Sequence, residues 1–240
     1  MGNPGASDSS AGPRARFGAW LLASATALVL LGASIAPFLT PAFVRIEQDR
    51  VGVGALTGYA PEELDAVTGA LLGDLVLWRG DFDVAVGGAP VLSEPERAHM
   101  RDVRGVFTGF GLLVAAAVVV LIVAFRRSRG TEARFARWRA VVGGARALAI
   151  AILVVGAFVV FAFEAAFEVF HRLFFSAGSY TFDPSTDRLV QLFPERFWSE
   201  TAMAIGAVAL AASIFTAWQA WRRAGAARSA PVLTSSEALP

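Results

Sequence analysis

Four apolar runs, at residues 17–36, 106–125, 148–168 and 201–221, divide the chain. Each is about the 20 residues that a helix needs to cross the hydrocarbon core of a bilayer. Only the third holds an ionisable residue in its interior, Glu164, which marks that helix for attention because charge inside a membrane is costly and usually functional. Residues 40–105, between the first two runs, are too many for a plain connector and should fold as a cap of their own. Within them Pro61-Glu62-Glu63 opens an amphipathic helix that places Leu64, Val67 and Leu71 on one face. The stretch LVLWRGDFDVAVGG then reads as two short strands turning at Arg79-Gly80-Asp81. Ser93 and Glu96 have capping-box spacing, so a helix starting there should run through His99 and Asp102 straight into the second apolar run. Residues 169–199 read as a second outer segment, a loop rich in aromatic residues, and residues 1–13 and 224–240 as disordered tails.

Composition sharpens the class. The 240 residues are 55% hydrophobic, with mean hydropathy +0.56, values that fit a small polytopic membrane protein and not a soluble domain. The net charge of +1 hides a segregation: every basic residue is arginine, and the arginines cluster before the first run, in residues 126–147 and after the fourth run. By the positive-inside rule both termini and the Arg-rich 126–147 loop are cytoplasmic, and residues 40–105 and 169–199 face outward. These clusters are orientation signals, not a nucleic-acid site. The first run exceeds the 7–15 apolar residues of a signal peptide, and Pro37 disfavours cleavage after Ala36, so an uncleaved span is expected. With no cysteine, neither disulfides nor a thiol nucleophile is available. The expected fold is an all-α membrane protein, four transmembrane helices beneath a small α+β extracellular cap in the plasma membrane.

The candidate chemistry lies at the outer face. His99 sits about two turns outside the second run and His171 at the outer end of the third, so topology carries the two histidines of the chain to one side. Glu164, Glu168, His171, Arg172 and Phe175 share one helical face. Glu168 reaches either Arg172 or His171, which leaves open a structural ion pair or a tuning role. Histidine suits proton transfer near neutral pH. A metal set drawn from His99, His171, Glu96, Asp102 and Asp183 is the competing chemistry, but no HExxH-type spacing supports it. Among Phe170, Phe174, Phe175, Tyr180, Phe182, Phe193 and Trp198, the tyrosine and tryptophan fit an aromatic belt, but the phenylalanines are too many for one and suggest an enclosure for an acyl chain, with Asp183 capping a turn. The Arg-Gly-Asp triplet reads as a turn.

The segments ERAHMRDV, FHRLFF and YTFDPSTDRLVQLFPERFW, set in a four-span plan, resemble the lipoprotein intramolecular transacylase (Lit) family over about residues 16–222. The resemblance implies four transmembrane helices under an extracellular cap and, without metal or organic cofactor, transfer of the sn-2 acyl chain of a diacylated bacterial lipoprotein to its own N-terminal cysteine nitrogen. It places the family's two catalytic histidines on His99 and His171; Glu168, Arg172, Asp102 and Asp183 are read as supporting residues from their own positions in the sequence. His99, near a helix start, is expected to act as base, and His171, near a helix end and Glu168, to steady an oxyanion. Two other classes compete: a non-enzymatic sensor or assembly protein with a ligand-binding cap, and a metal-dependent lipid hydrolase.

Overall fold

A computed structural model describes residues 12–229. Four helices in it are long and apolar enough to cross a membrane: α1 (Pro13–Ile35), α5 (Glu94–Arg126), α6 (Thr131–Phe161) and α9 (Glu195–Ser229). Helix α6 lies along α9, and α1 packs against α5, α6 and α9. At the α1–α6 crossing the backbones touch: a Cβ on Gly144 would fall inside the carbonyl of Ala23. Small residues permit such close approach, which replaces hydrophobic driving force in lipid with van der Waals contact.

Between α1 and α5 the chain builds the cap from α2 (Pro41–Val51), α3 (Val53–Thr57), α4 (Pro61–Leu77) and one antiparallel hairpin, β1 (Ala85–Val86) with β2 (Ala89–Pro90). Pro61 opens α4 and the Glu63 carboxylate accepts the Ala60 N–H at 2.9 Å. Leu64, Val67 and Leu71 of α4 are buried with Phe82, Met100 and Leu192 in one core, so the cap is sealed onto the first turns of α5. Helix α5 starts after Ser93, whose N–H donates to Glu96 Oε2 at 2.7 Å, and continues unbroken through the apolar stretch 106–125.

Several sequence expectations are corrected. No strands flank Arg79-Gly80-Asp81: α4 runs on to Leu77, and the hairpin lies at residues 85–90, turning on Gly87 and Gly88 at φ 58° and 81°. Two consecutive positive φ angles make the tight turn that matches strand twist, and Gly-Gly supplies them where Arg-Gly-Asp does not. Asp81 instead meets Arg97, Arg101 and Arg104 of α5 at 3.6, 3.1 and 3.4 Å, and the Arg104 guanidinium covers the Trp78 ring at 4.3 Å. The Arg-rich segment 126–147 is mostly helix, since α6 already starts at Thr131. The third run is not one helix over 148–168. It breaks at Ala162 (φ −149°, ψ 54°), and a separate amphipathic helix, α7 (Phe163–Phe174), follows. Glu164 is therefore exposed in the first turn of α7, where a carboxylate suits the helix dipole, and not buried in the bundle. In residues 169–199 only the middle is loop, carrying the short helix α8 (Arg188–Leu192), and the 224–240 tail opens as the last turns of α9. The remainder of the expected tails, 1–11 and 230–240, lies outside the described residues.

Candidate functional site

His99 and His171 meet where the cap joins the bundle. Their ring centroids are 6.0 Å apart with planes inclined by 22°. His99 stands on the polar first turns of α5, before the apolar stretch, and His171 on the last turn of α7. Both are buried, 6% and 7% exposed, among aromatic rings. Phe175 contacts both, at 4.9 Å from His99 and 5.4 Å from His171. Phe182 covers His99 at 5.6 Å, while Tyr180 and Phe170 border His171 at 5.0 and 5.4 Å. A group sandwiched between parallel rings needs about 7–8 Å, two contact layers of about 3.5–4.0 Å. At 6.0 Å the imidazoles are too close for that, so reacting atoms must meet their edges, where the nitrogens are.

The two rings are held differently. His171 Nδ1 lies 2.8 Å from the Phe167 carbonyl oxygen. A carbonyl only accepts, so Nδ1 carries the hydrogen and Nε2 is the nitrogen left for a substrate. His99 Nδ1 is buried without a hydrogen-bonding partner among the described residues. Burial pushes the His99 imidazole down to about 4, and the neighbouring His171 adds to the effect against a smaller opposing pull from Asp102. His99 is therefore neutral across the physiological range and able to accept a proton.

Beside His171 a cavity of about 430 Å³ opens to the surface, lined by Glu168, Arg172, Phe175, Tyr180 and the turn at 177–181. Glu168 accepts from Arg172 Nε at 2.7 Å and from the Tyr180 hydroxyl at 3.4 Å. Of the alternatives for Glu168, the structure realises the ion pair with Arg172. Glu168 lines the cavity and bonds to Tyr180, which in turn borders His171. Asp183 accepts from the Ser185 N–H and hydroxyl at 2.8 and 2.7 Å, bonds that hold its carboxyl below the usual range and shape the loop. Asp102 is exposed and acts on His99 only through its charge.

Not every predicted aromatic joins the site. Phe174 contacts Phe170, one ring removed from His171. Phe193 and Trp198 form a separate group with Phe197, and their ring contacts are not with either histidine. Phe167, one of the phenylalanines that crowd the end of the third run in the sequence, lies 4.0 Å from His171 by ring centroid and is its hydrogen-bond partner by carbonyl, closer than Phe170, Phe175 or Tyr180. Its i, i+4 relation to His171 was the available signal. Among the described residues no group of three or more His, Asp or Glu side chains is arranged to hold a metal.

Comparison with known proteins follows the same line. The lipoprotein intramolecular transacylase Lit family matches residues 20–198. The in meso structure of the membrane-integral transacylase Lit from Bacillus cereus superposes with TM-score 0.70 at 19% identity, over 90% of this chain and 97% of that one. Two structures of the B. cereus protein with one histidine replaced, by arginine or by alanine, superpose with TM-scores of 0.66 and 0.67, also at 19% identity and 90% coverage of this chain, and over 94% and 96% of theirs. At that identity the likeness speaks for the fold. A comparison with curated protein sequences gave no match.

Proposed function

The chain belongs to the lipoprotein intramolecular transacylase family of membrane acyltransferases, and from that premise we propose that it moves the sn-2 acyl chain of a diacylglyceryl lipoprotein to the amino group of the same lipoprotein's N-terminal cysteine, using His99 and His171. The observation that carries the histidine assignment is their arrangement: two buried imidazoles 6.0 Å apart, one with an unpartnered ring nitrogen, walled by phenylalanines.

In this reading the cysteine nitrogen attacks the ester carbonyl and gives its proton to neutral His99. His171 serves here as the imidazolium: one N–H, on Nδ1, is pinned to the Phe167 carbonyl, and the second, on Nε2, faces the developing oxyanion. The ester C–O bond breaks, the glyceryl oxygen takes up the proton, and the new amide forms, so one proton moves from nitrogen to oxygen and nothing else is consumed. General base catalysis contributes about 10²–10⁴-fold. Donors placed at the oxyanion and confinement of both ends of one substrate supply the rest. Arginines concentrated at residues 126–139 and 222–228 support an orientation with both termini cytoplasmic and the cap outside, where lipoprotein N-termini lie.

The test is expression in a bacterial host that makes only diacylated lipoproteins, with mass spectrometry of a lipoprotein N-terminal peptide. The acyl chain should appear on nitrogen with the wild type and stay on glycerol with His99→Ala or His171→Ala. Unaltered lipoprotein beside well-expressed protein rejects the proposal.

A further inference from the structure

We propose that Glu96 is a positioning residue of this site: its carboxylate ties the aromatic loop, through the Leu189 N–H, to the helix that carries His99. Glu96 is 1% exposed, the most buried acid described. Among the described residues no cation pairs with it; the neighbouring Arg97, Arg101 and Arg104 are turned to Asp81 and Glu94. Its two oxygens instead each accept one backbone N–H. Oε2 takes that of Ser93 at 2.7 Å, closing the start of α5, and Oε1 takes that of Leu189 at 2.6 Å, ninety-three residues away. A buried carboxylate without a counter-ion is costly, and an apolar residue would fill the same volume. What the carboxylate adds is a pair of short charge-assisted bonds across two segments.

Those segments make the site. Glu96 lies three residues before His99 on α5, about one turn. Leu189 follows the loop that brings Phe175, Tyr180 and Phe182 onto the two histidines. That loop is braced within itself: the Asp183 N–H donates to Asp187 Oδ2 at 2.7 Å, the Asp187 N–H to the Asp183 carbonyl at 2.8 Å, and Gln191 Nε2 to the Pro184 carbonyl at 3.0 Å. These bonds make the loop one braced piece held at its attachment points. Two of these lead to the cap, where Arg188 donates to the Thr57 carbonyl at 3.0 Å and Gln48 donates to the Leu192 carbonyl at 3.1 Å. Glu96 is the bond that leads to the base's own helix, and so it sets how Phe182 sits over His99.

Glutamine at position 96 keeps the shape but offers one acceptor oxygen, and its amide hydrogens then confront the second N–H. The consequence of the proposal rests on the transacylase reading, but its structural core does not, so the test has two arms. In purified Glu96→Gln, hydrogen–deuterium exchange should rise in peptides from residues 176–193 and stay unchanged in α4, with the melting temperature close to wild type. In an acyl-transfer assay kcat should fall on the order of 10–100-fold with KM little changed, as expected when a lost buried bond misplaces groups that matter only in the transition state. Exchange that rises equally in α4 and the loop, or does not rise at all, overturns the proposal, as does wild-type kcat. If the wild-type protein transfers no acyl chain, the functional reading fails and the exchange arm alone decides the role of Glu96. Gln48→Ala, which cuts a cap attachment and leaves Glu96 intact, should loosen the loop with a smaller effect on kcat.

Discussion

Acid should protonate the base of this site at a much lower pH than it protonates an ordinary catalytic histidine. His99 is buried against Phe175 and Phe182 beside the second imidazole, and its pKa is pushed down to about 4 from the usual 6.5. At pH 5.5 an ordinary imidazole is about 90% protonated, whereas one at about 4 is roughly 3% protonated. The substrate amine titrates separately, near 7.7–8.0, and its protonation alone lowers kcat/KM about tenfold per pH unit below that range. Initial rates of N-acyl formation from a synthetic diacylglyceryl-cysteine peptide, read by mass spectrometry from pH 5 to pH 8, resolve the two. Between pH 6 and pH 5 log kcat/KM should fall with a slope of one, and a second proton should steepen it only near pH 4. A slope of two setting in near pH 6.5 would show His99 titrating normally and refute the reasoning. The same group acts on folding. Its folded pKa lies below its unfolded value, so the stability is whole above about pH 6.5 and is lost as the pH falls towards about 4. With about 1.4 kcal/mol per pKa unit, the full loss is of order 3 kcal/mol. Thermal melts across that window should show it, and His99→Phe should flatten the dependence.

Three further outcomes follow from packing. Gly144→Ala forces the α1 and α6 backbones apart at Ala23 and should cost about 1–3 kcal/mol in a detergent melt, while Gly143→Ala, with open space around it, should be silent. Phe82 is fully buried in the cap core, so Phe82→Ala should cost about 3–5 kcal/mol, seen as faster exchange in α4, and a smaller effect would mean that the cap leans on the bundle and not on its own core. Phe175 is the ring that contacts both histidines; Phe175→Ala should lower kcat about 10–100-fold by admitting water and misplacing the reacting ends, and Phe175→Leu should recover part of it.

The histidine pair was legible because two strong signals agree. Arginine asymmetry gives the direction of each span, and the Ser93–Glu96 cap gives the phase of the helix through His99, so topology alone brings both imidazoles to one end. The break at Ala162 was not legible. Alanine is the best helix former and an apolar sequence continues on both sides, so nothing local announces that α7 turns away. The hairpin was misplaced because Arg-Gly-Asp and Gly-Gly both look like turns, and only the second supplies two consecutive positive φ angles. Phe193 and Trp198 were grouped with the histidines by proximity in sequence, but the start of α9 carries Trp198 away with Phe197. Glu96 was visible only as a helix cap and a candidate metal ligand, since its bond to Leu189 joins residues whose nearness is a product of the whole fold.

The unbroken length of α5 has a mechanical meaning. Its 33 residues make a rod of about 50 Å, longer than the roughly 30 Å of a hydrocarbon core, and His99 rides near its protruding tip. His171 rides on a separate short helix beyond the joint at Ala162. One imidazole thus shares an unbroken helix with its span and the other does not. A rod of this kind answers a thinner or thicker bilayer by tilting, and tilt displaces the tip more than any other point. If a change in bilayer thickness tilts this rod, the His99 end moves with it, and acyl-transfer rates in vesicles of different chain length would show whether the spacing of the two rings follows.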